Sequence, residues 1–177
     1  MLKNYINSLL IIANKIQENQ LNEIINTINK AIKNKKKIFI CGNGGSASLS
    51  EHALCDWTKR LYPKKKLQLF DLTSNKSLIS AISNDISFDQ IFSYQLNIFS
   101  EKNDVCIFIS SSGNSKNIIN GLKIAKKKGL KTVAITGLNG GVAKKLANIS
   151  IHIKTSTYEH HEDLAQIIMH YIYLKLK

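Results

Sequence analysis

Residues 41 to 46 read Cys41-Gly42-Asn43-Gly44-Gly45-Ser46, straight after the apolar run Ile38-Phe39-Ile40 and before a stretch with helical spacing. An apolar run of this length suits a strand buried on both faces of a parallel sheet. A glycine-rich turn at its carboxyl end lets backbone N–H groups approach an anion with no side chain in the way, and the next helix offers its positive N-terminus. The pattern is written a second time: Val105–Ile109 runs into Ser110-Ser111-Ser112-Gly113-Asn114-Ser115. Serine hydroxyls are short donors that fit around a tetrahedral phosphate. One such turn reads as an ordinary helix cap, with Ser46 as the cap of the helix that follows the first, since Ser and Asn are preferred there. Two of them point to a phosphate site.

Working outward, short apolar runs predict strands over Lys37–Cys41, Leu67–Leu72, Val105–Ser110, Thr132–Thr136 and Ile149–Ile153, with helices over 46–60, 75–83, 88–98, 115–128, 142–147 and 160–176 between and after them. Ile6, Leu9, Leu10, Ala13 and Ile16, then Leu21, Ile24, Ile25, Ile28, Ala31 and Ile32, recur at helical spacing, so residues 1–34 read as two helices. Strand–helix alternation predicts one α/β domain over 1–177, a parallel sheet (37–177) with an N-terminal helical extension. In such a sheet ligands bind beyond the carboxyl ends of the strands.

The composition removes several classes of function. No segment has the apolar length to span a bilayer, and the start lacks the pattern of a signal peptide. Three cysteines, Cys41, Cys55 and Cys106, without CxxC spacing read as buried free thiols in a reducing cytoplasm. A net charge of +13 invites an anionic partner. The lysines, however, are spread over Lys33, Lys35–Lys37, Lys64–Lys66, Lys126–Lys128, Lys144 and Lys145 with no interleaved aromatics, so solvated surface is preferred to nucleic-acid binding. There is no GxxxxGK[ST] and no GxGxxG, and Asp71 is a weak match for a ribose-binding acid, so no nucleotide cofactor is expected. A serine-lined pocket without a cofactor fingerprint suits a small sugar phosphate.

As a set, CGNGGSAS (41–48), SNDISFDQIFSYQL (83–96), SSSGNSKNII (110–119), ITGLNGG (135–141) and the final His-bearing helix resemble the sugar isomerase (SIS) domain family, closest to its phosphoheptose isomerases, over nearly the whole chain. The resemblance implies a flavodoxin-like three-layer sandwich with a five-stranded parallel sheet, and a homotetramer with active sites between subunits. It implies conversion of sedoheptulose 7-phosphate to the aldoheptose 7-phosphate in the cytoplasm, for activated heptose of lipopolysaccharide or capsule. Carried over by position, Gly44, Ser46, Ser110, Ser111, Ser112 and Ser115 would hold the phosphate, Asn43 and Asp85 would face sugar hydroxyls, and Arg60 also matches.

The family's helix after the glycine turn carries His then Glu four residues on, and its last helix carries Gln then His eight residues on. Here the pairs are His52/Asp56 and Glu162/His170, so two positions differ in chemistry. The resemblance links this quartet to one Zn²⁺ held by His52, Asp56, Glu162 and His170, and to catalysis by Asp56, Glu162 and His170. By spacing, His52 and Asp56 share a helix face, whereas Glu162 and His170 lie two turns apart and about 80° round the axis; alone this is a weak metal signal. Isomerisation through an enediol needs a base, an acid and stabilisation of the enediolate. An imidazole exchanges protons near neutrality; either Asp56 or Glu162 suits the base. His160 and His161 read as exposed residues at a helix start, and His152 as a strand residue without a partner. Alternatives are isomerisation of another sugar phosphate, or a non-catalytic SIS protein that binds a sugar phosphate or a protein.

Overall fold

The computed structural model describes residues 1–63 and 66–176. Lys64 and Lys65, part of one lysine run, lie outside the described residues.

Two helices, α1 (Leu2–Ala13) and α2 (Glu18–Lys33), precede five strands: β1 (Lys37–Gly42), β2 (Gln68–Asp71), β3 (Val105–Ser110), β4 (Lys131–Thr136) and β5 (Ile149–His152). Between and after them run α3 (Gly45–Leu61), α4 (Lys76–Asp85), α5 (Ile91–Phe99), α6 (Lys116–Lys127), α7 (Gly141–Leu146) and α8 (Tyr158–Lys175). All pairings are parallel, in the order β2-β1-β3-β4-β5, with Ile40 opposite Ile107 and Ile107 opposite Val133. The predicted helix at 88–98 is split. The Ser87 hydroxyl accepts from the Asp89 N–H at 3.0 Å and holds a 3₁₀ turn, Phe88–Gln90, ahead of α5.

Strand side chains alternate across the sheet and so build two cores. Ile38, Ile40, Val105, Ile107, Ile109, Val133 and Ile135 pack on one face against α2, α3 and α8. Phe39, Cys41, Cys106, Phe108 and Ala134 pack on the other face against α4–α7. Cys41 and Cys106 are buried free thiols, and burial pushes the Cys41 pKa well up, so it packs as an apolar group. Cys55, read as buried, is exposed on α3. Among the described residues no helix is long and apolar enough to cross a membrane.

Two contacts fix where the site can form. Trp57 of α3 is fully buried in the first core, which also contains Leu164, Ile168 and Ile172 of α8. The α1 helix buries none of its own residues, yet it is tied to α8: the Tyr5 hydroxyl donates to Asp163 Oδ2 at 2.6 Å, and Ser8 Oγ lies 2.6 Å from His160 Nε2. His160 is therefore a half-buried linking residue, not a free surface histidine. His152 likewise has partners, the Leu138 carbonyl at 2.9 Å and Lys144 Nζ at 2.9 Å. Trp57→Ala is expected to lower stability by about 3–5 kcal/mol, the usual range for emptying an aromatic core position. Denaturant unfolding followed by circular dichroism measures this; a loss below about 1 kcal/mol would mean that Trp57 does not hold α3 in place.

Candidate functional site

In a sheet ordered 2-1-3-4-5 the chain leaves β1 and β3 towards opposite faces, which opens a crevice at their carboxyl ends. Both polar turns meet there. They line a cavity of about 310 Å³ with Tyr158 and Glu162 from the start of α8. Gly44, with φ at +55°, is the N-cap of α3 and occupies a backbone region that glycine tolerates best. Ser46 was expected to cap this helix; it does not, because the helix begins at Gly45 and no side chain caps it. Among the described residues the hydroxyls of Ser46 and Ser115 have no hydrogen-bond partner, which leaves both donors for a ligand. In the second turn, Ser110 Oγ accepts from the Gly113 N–H at 3.1 Å and Ser112 Oγ from the Asn114 N–H at 3.2 Å. Those serines shape the loop and retain their O–H donors.

Asn43 is fixed by a reciprocal amide pair with Asn117 of α6, at 2.9 and 3.0 Å, which ties the two turns together. Asn117 was not singled out in the sequence, because an asparagine in the first turn of a helix looks like a capping residue. Asp71 points inward and accepts from Ser50 Oγ at 2.9 Å and the Thr73 N–H at 2.9 Å. Its carboxylate thus organises the end of β2.

The second constellation lies further along α3 and α8. Asp56 Oδ2 is 3.1 Å from His52 Nε2 and 3.2 Å from His170 Nε2, and the two ring nitrogens are 3.4 Å apart. Two imidazole nitrogens and a carboxylate oxygen, all within 4.8 Å of one another, form a group that could hold a metal ion. Three lone-pair-bearing atoms this close call for a proton or a cation between them. Glu162 does not join this group. Its carboxylate lies over Gly45, where an added Cβ would meet Oε1 at 2.3 Å, and it borders the serine cavity instead. The expected four-residue cluster is thus three residues, with Glu162 nearer the anion pocket. Gln166, one turn before His170, takes the adjacent place, with its Nε2 2.7 Å from His170 Nε2. Helical i, i+4 spacing from His170 was the signal that could have found it.

Arg60 and Asp85 sit apart from the serine cavity. Arg60 Nη1 donates to the Tyr173 hydroxyl at 3.0 Å, near the outer end of the His/Asp group. Asp85 accepts from Asn84 Nδ2 at 2.8 Å and borders a separate shallow depression on α4.

His161 is the largest departure from the sequence reading, because it is fully buried. Its Nδ1 lies 2.8 Å from Ser111 Oγ, and the ring packs on Gly137, where any Cβ would meet it at 2.8 Å. It therefore supports the serine turn from beneath. Burial lowers its pKa to about 4, and the Ile135 backbone offsets this only in part. The unfolded chain takes up a proton near pH 6.5, whereas the folded chain holds this ring neutral down to about pH 4. Stability is therefore lost as pH falls through that window, by on the order of 3 kcal/mol at its lower end. Unfolding midpoints between pH 7 and 4 should show a steeper decline for the natural chain than for His161→Gln; parallel curves would contradict this role.

The sequence profile described as SIS domain matches residues 3–137. A probable phosphoheptose isomerase of Thermoplasma acidophilum is 37% identical over 150 residues, covering 84% of this chain and 82% of that protein. The phosphoheptose isomerase of Aliarcobacter butzleri is 38% identical over 128 residues, covering 72% and 68%. A solved phosphoheptose isomerase structure from Neisseria gonorrhoeae superposes with a TM-score of 0.91 at 25% identity, over 99% of this chain and 96% of that one. The sheet order, the paired serine and glycine turns and these matches over most of the chain agree: it belongs to the SIS domain family and groups there with the phosphoheptose isomerases.

Proposed function

We propose that the chain interconverts sedoheptulose 7-phosphate and D-glycero-D-manno-heptose 7-phosphate through an enediol, as a step towards activated heptose. The observation that carries this reading is the joining of an anion cavity and a His52/Asp56/His170 group by the same two helices. From Ser46 to His52 is six residues of α3, about 9 Å of helix. An extended seven-carbon chain with bonds of about 1.5 Å spans a similar distance. With its phosphate among Ser46, Ser110, Ser111, Ser112 and Ser115, the sugar's C1–C2 end reaches the other group.

The reaction moves one proton from C1 to C2 and another from O1 to O2, with no external oxidant. The base at that end of the sugar is Asp56: its Oδ2 faces His52 and His170, which leaves Oδ1 without a partner among the described residues, whereas the Glu162 carboxylate lies over Gly45 beside the phosphate turns. Asp56 takes the C1 proton as the C1–H electron pair forms the C1=C2 bond, and returns it at C2 as C1 becomes the aldehyde carbonyl. The nitrogen and oxygen donors of His52, Asp56 and His170 suit Zn²⁺. When bound there, the ion supplies Lewis-acid polarisation of the sugar carbonyl and charge for the enediolate. The half-exposed His52 and His170 leave this edge open to the substrate.

The resemblance also carries a homotetramer into this proposal. Ile6, Leu10 and Ile11 of α1 and Tyr94, Ile98 and Phe99 of α5 are exposed apolar residues that support association between copies. Light scattering is expected to give a mass of four 19.9 kDa chains; a monomer that turns over substrate would remove the tetramer from the proposal.

Purified protein with sedoheptulose 7-phosphate, followed by NMR with zinc or with chelator, tests the function. Turnover lost with the chelator supports both the reaction and the metal. Turnover in both retains the isomerase and assigns His170 the proton relay without a metal. Binding without turnover would redirect the proposal to another sugar phosphate. Asp56→Asn is expected to lower kcat about 10²–10⁴-fold; an unchanged kcat would pass the base role to Glu162.

A further inference from the structure

We infer that Gln166, through its side-chain carbonyl, is the fourth donor of the cation site, in the place that the sequence pattern gave to Glu162. The inference rests on the reading of His52, Asp56 and His170 as a cation site, and three observations carry it. First, the Gln166 amide meets the group at His170: its Nε2 is 2.7 Å from His170 Nε2, the same ring nitrogen that faces Asp56 and His52. Second, the other end of that amide is unsatisfied. Gln166 Oε1 is buried without a partner among the described residues, and leaving such a carbonyl unpaired costs about 1–3 kcal/mol. Third, Glu162 is a further turn away along α8, with its carboxylate lying over Gly45.

These facts combine into a simple exchange. With no cation, an unprotonated His170 Nε2 accepts a hydrogen bond from the Gln166 amide nitrogen. A cation takes up the lone pair of that ring nitrogen and repels the N–H group. Turning the amide end for end, which keeps its shape, brings Oε1 to the position the nitrogen held. The oxygen that lacked a partner then faces the positive charge. The set becomes two imidazoles, one carboxylate and one neutral amide, a four-donor nitrogen and oxygen set suited to zinc. It leaves the second carboxylate, Glu162, outside the set and beside the serine cavity.

The test is calorimetric titration of the full-length, chelator-stripped protein with Zn²⁺, without substrate. Gln166→Leu is expected to weaken Zn²⁺ binding about 10–100-fold, and Glu162→Gln to change it by less than about threefold. Gln166→Glu, which retains an oxygen donor at similar reach, should bind at least as tightly as the natural chain. An unchanged Gln166→Leu, or a tenfold loss in Glu162→Gln, would overturn the assignment while leaving the three-residue site intact. If Gln166→Leu fails to fold, Gln166→Glu decides: binding weakened about tenfold or more overturns the assignment. A natural chain that takes up no Zn²⁺ would overturn the cation site itself, and Gln166's part with it.

Discussion

The site depends on how α3 and α8 meet on one face of the sheet. Towards one end, Gly45 leaves room for the Glu162 carboxylate where a larger residue would collide with it. Further along α3, Trp57 fills the core that it shares with Leu164, Ile168 and Ile172. Between these contacts the polar faces of the two helices come together, and His52 and Asp56 meet His170 within hydrogen-bond distance. Neither helix holds the group alone. A shift of one helical turn, about 5.4 Å, would separate all three residues.

The same packing divides the labour along the two helices. The cavity end suits negative charge: no side chain caps the positive start of α3, and the hydroxyls of Ser46 and Ser115 have no partner among the described residues. The far end gathers lone pairs and suits a cation. A sugar phosphate carries its charge at one end and its carbonyl at the other, so a polar gradient of this kind suits such a molecule. Glu162 borders the cavity, its carboxylate lying over Gly45. The buried His161 stiffens the arrangement from below by holding Ser111 in a turn whose remaining hydroxyls face the cavity.

Much of this was legible in the chain. The five strands and the helices between them were readable because burial on two faces demands runs such as Ile38–Cys41 and Val105–Ile109. The two turns were readable because close approach to an anion restricts them to glycine and small hydroxyl residues. His52, Asp56 and His170 were found through helical spacing together with likeness to a known pattern. The misreadings have a common source. His161 looked like a surface residue since nothing local to it announces Gly137, the residue that makes room for its ring. Ser46 looked like a cap because serine so often is one, yet the chain turns into the helix earlier, at Gly44. The split ahead of α5 was missed because Phe88–Gln90 carries apolar spacing that a 3₁₀ turn and an α-helix share.

The sequence alone thus determined the α/β class, the order of elements and the chemistry of the two turns, because strand and helix periodicities and turn preferences act over a few residues. Only the tertiary structure decided which carboxylate joins the two histidines and which one borders the cavity. Asp56 and Glu162 are similar acids on similar helices, and their roles separate only when α8 is laid across α3. Gln166 enters the group for the same reason. The distance between side chains on two helices is set by packing over the whole face of the sheet, which no local run of residues encodes.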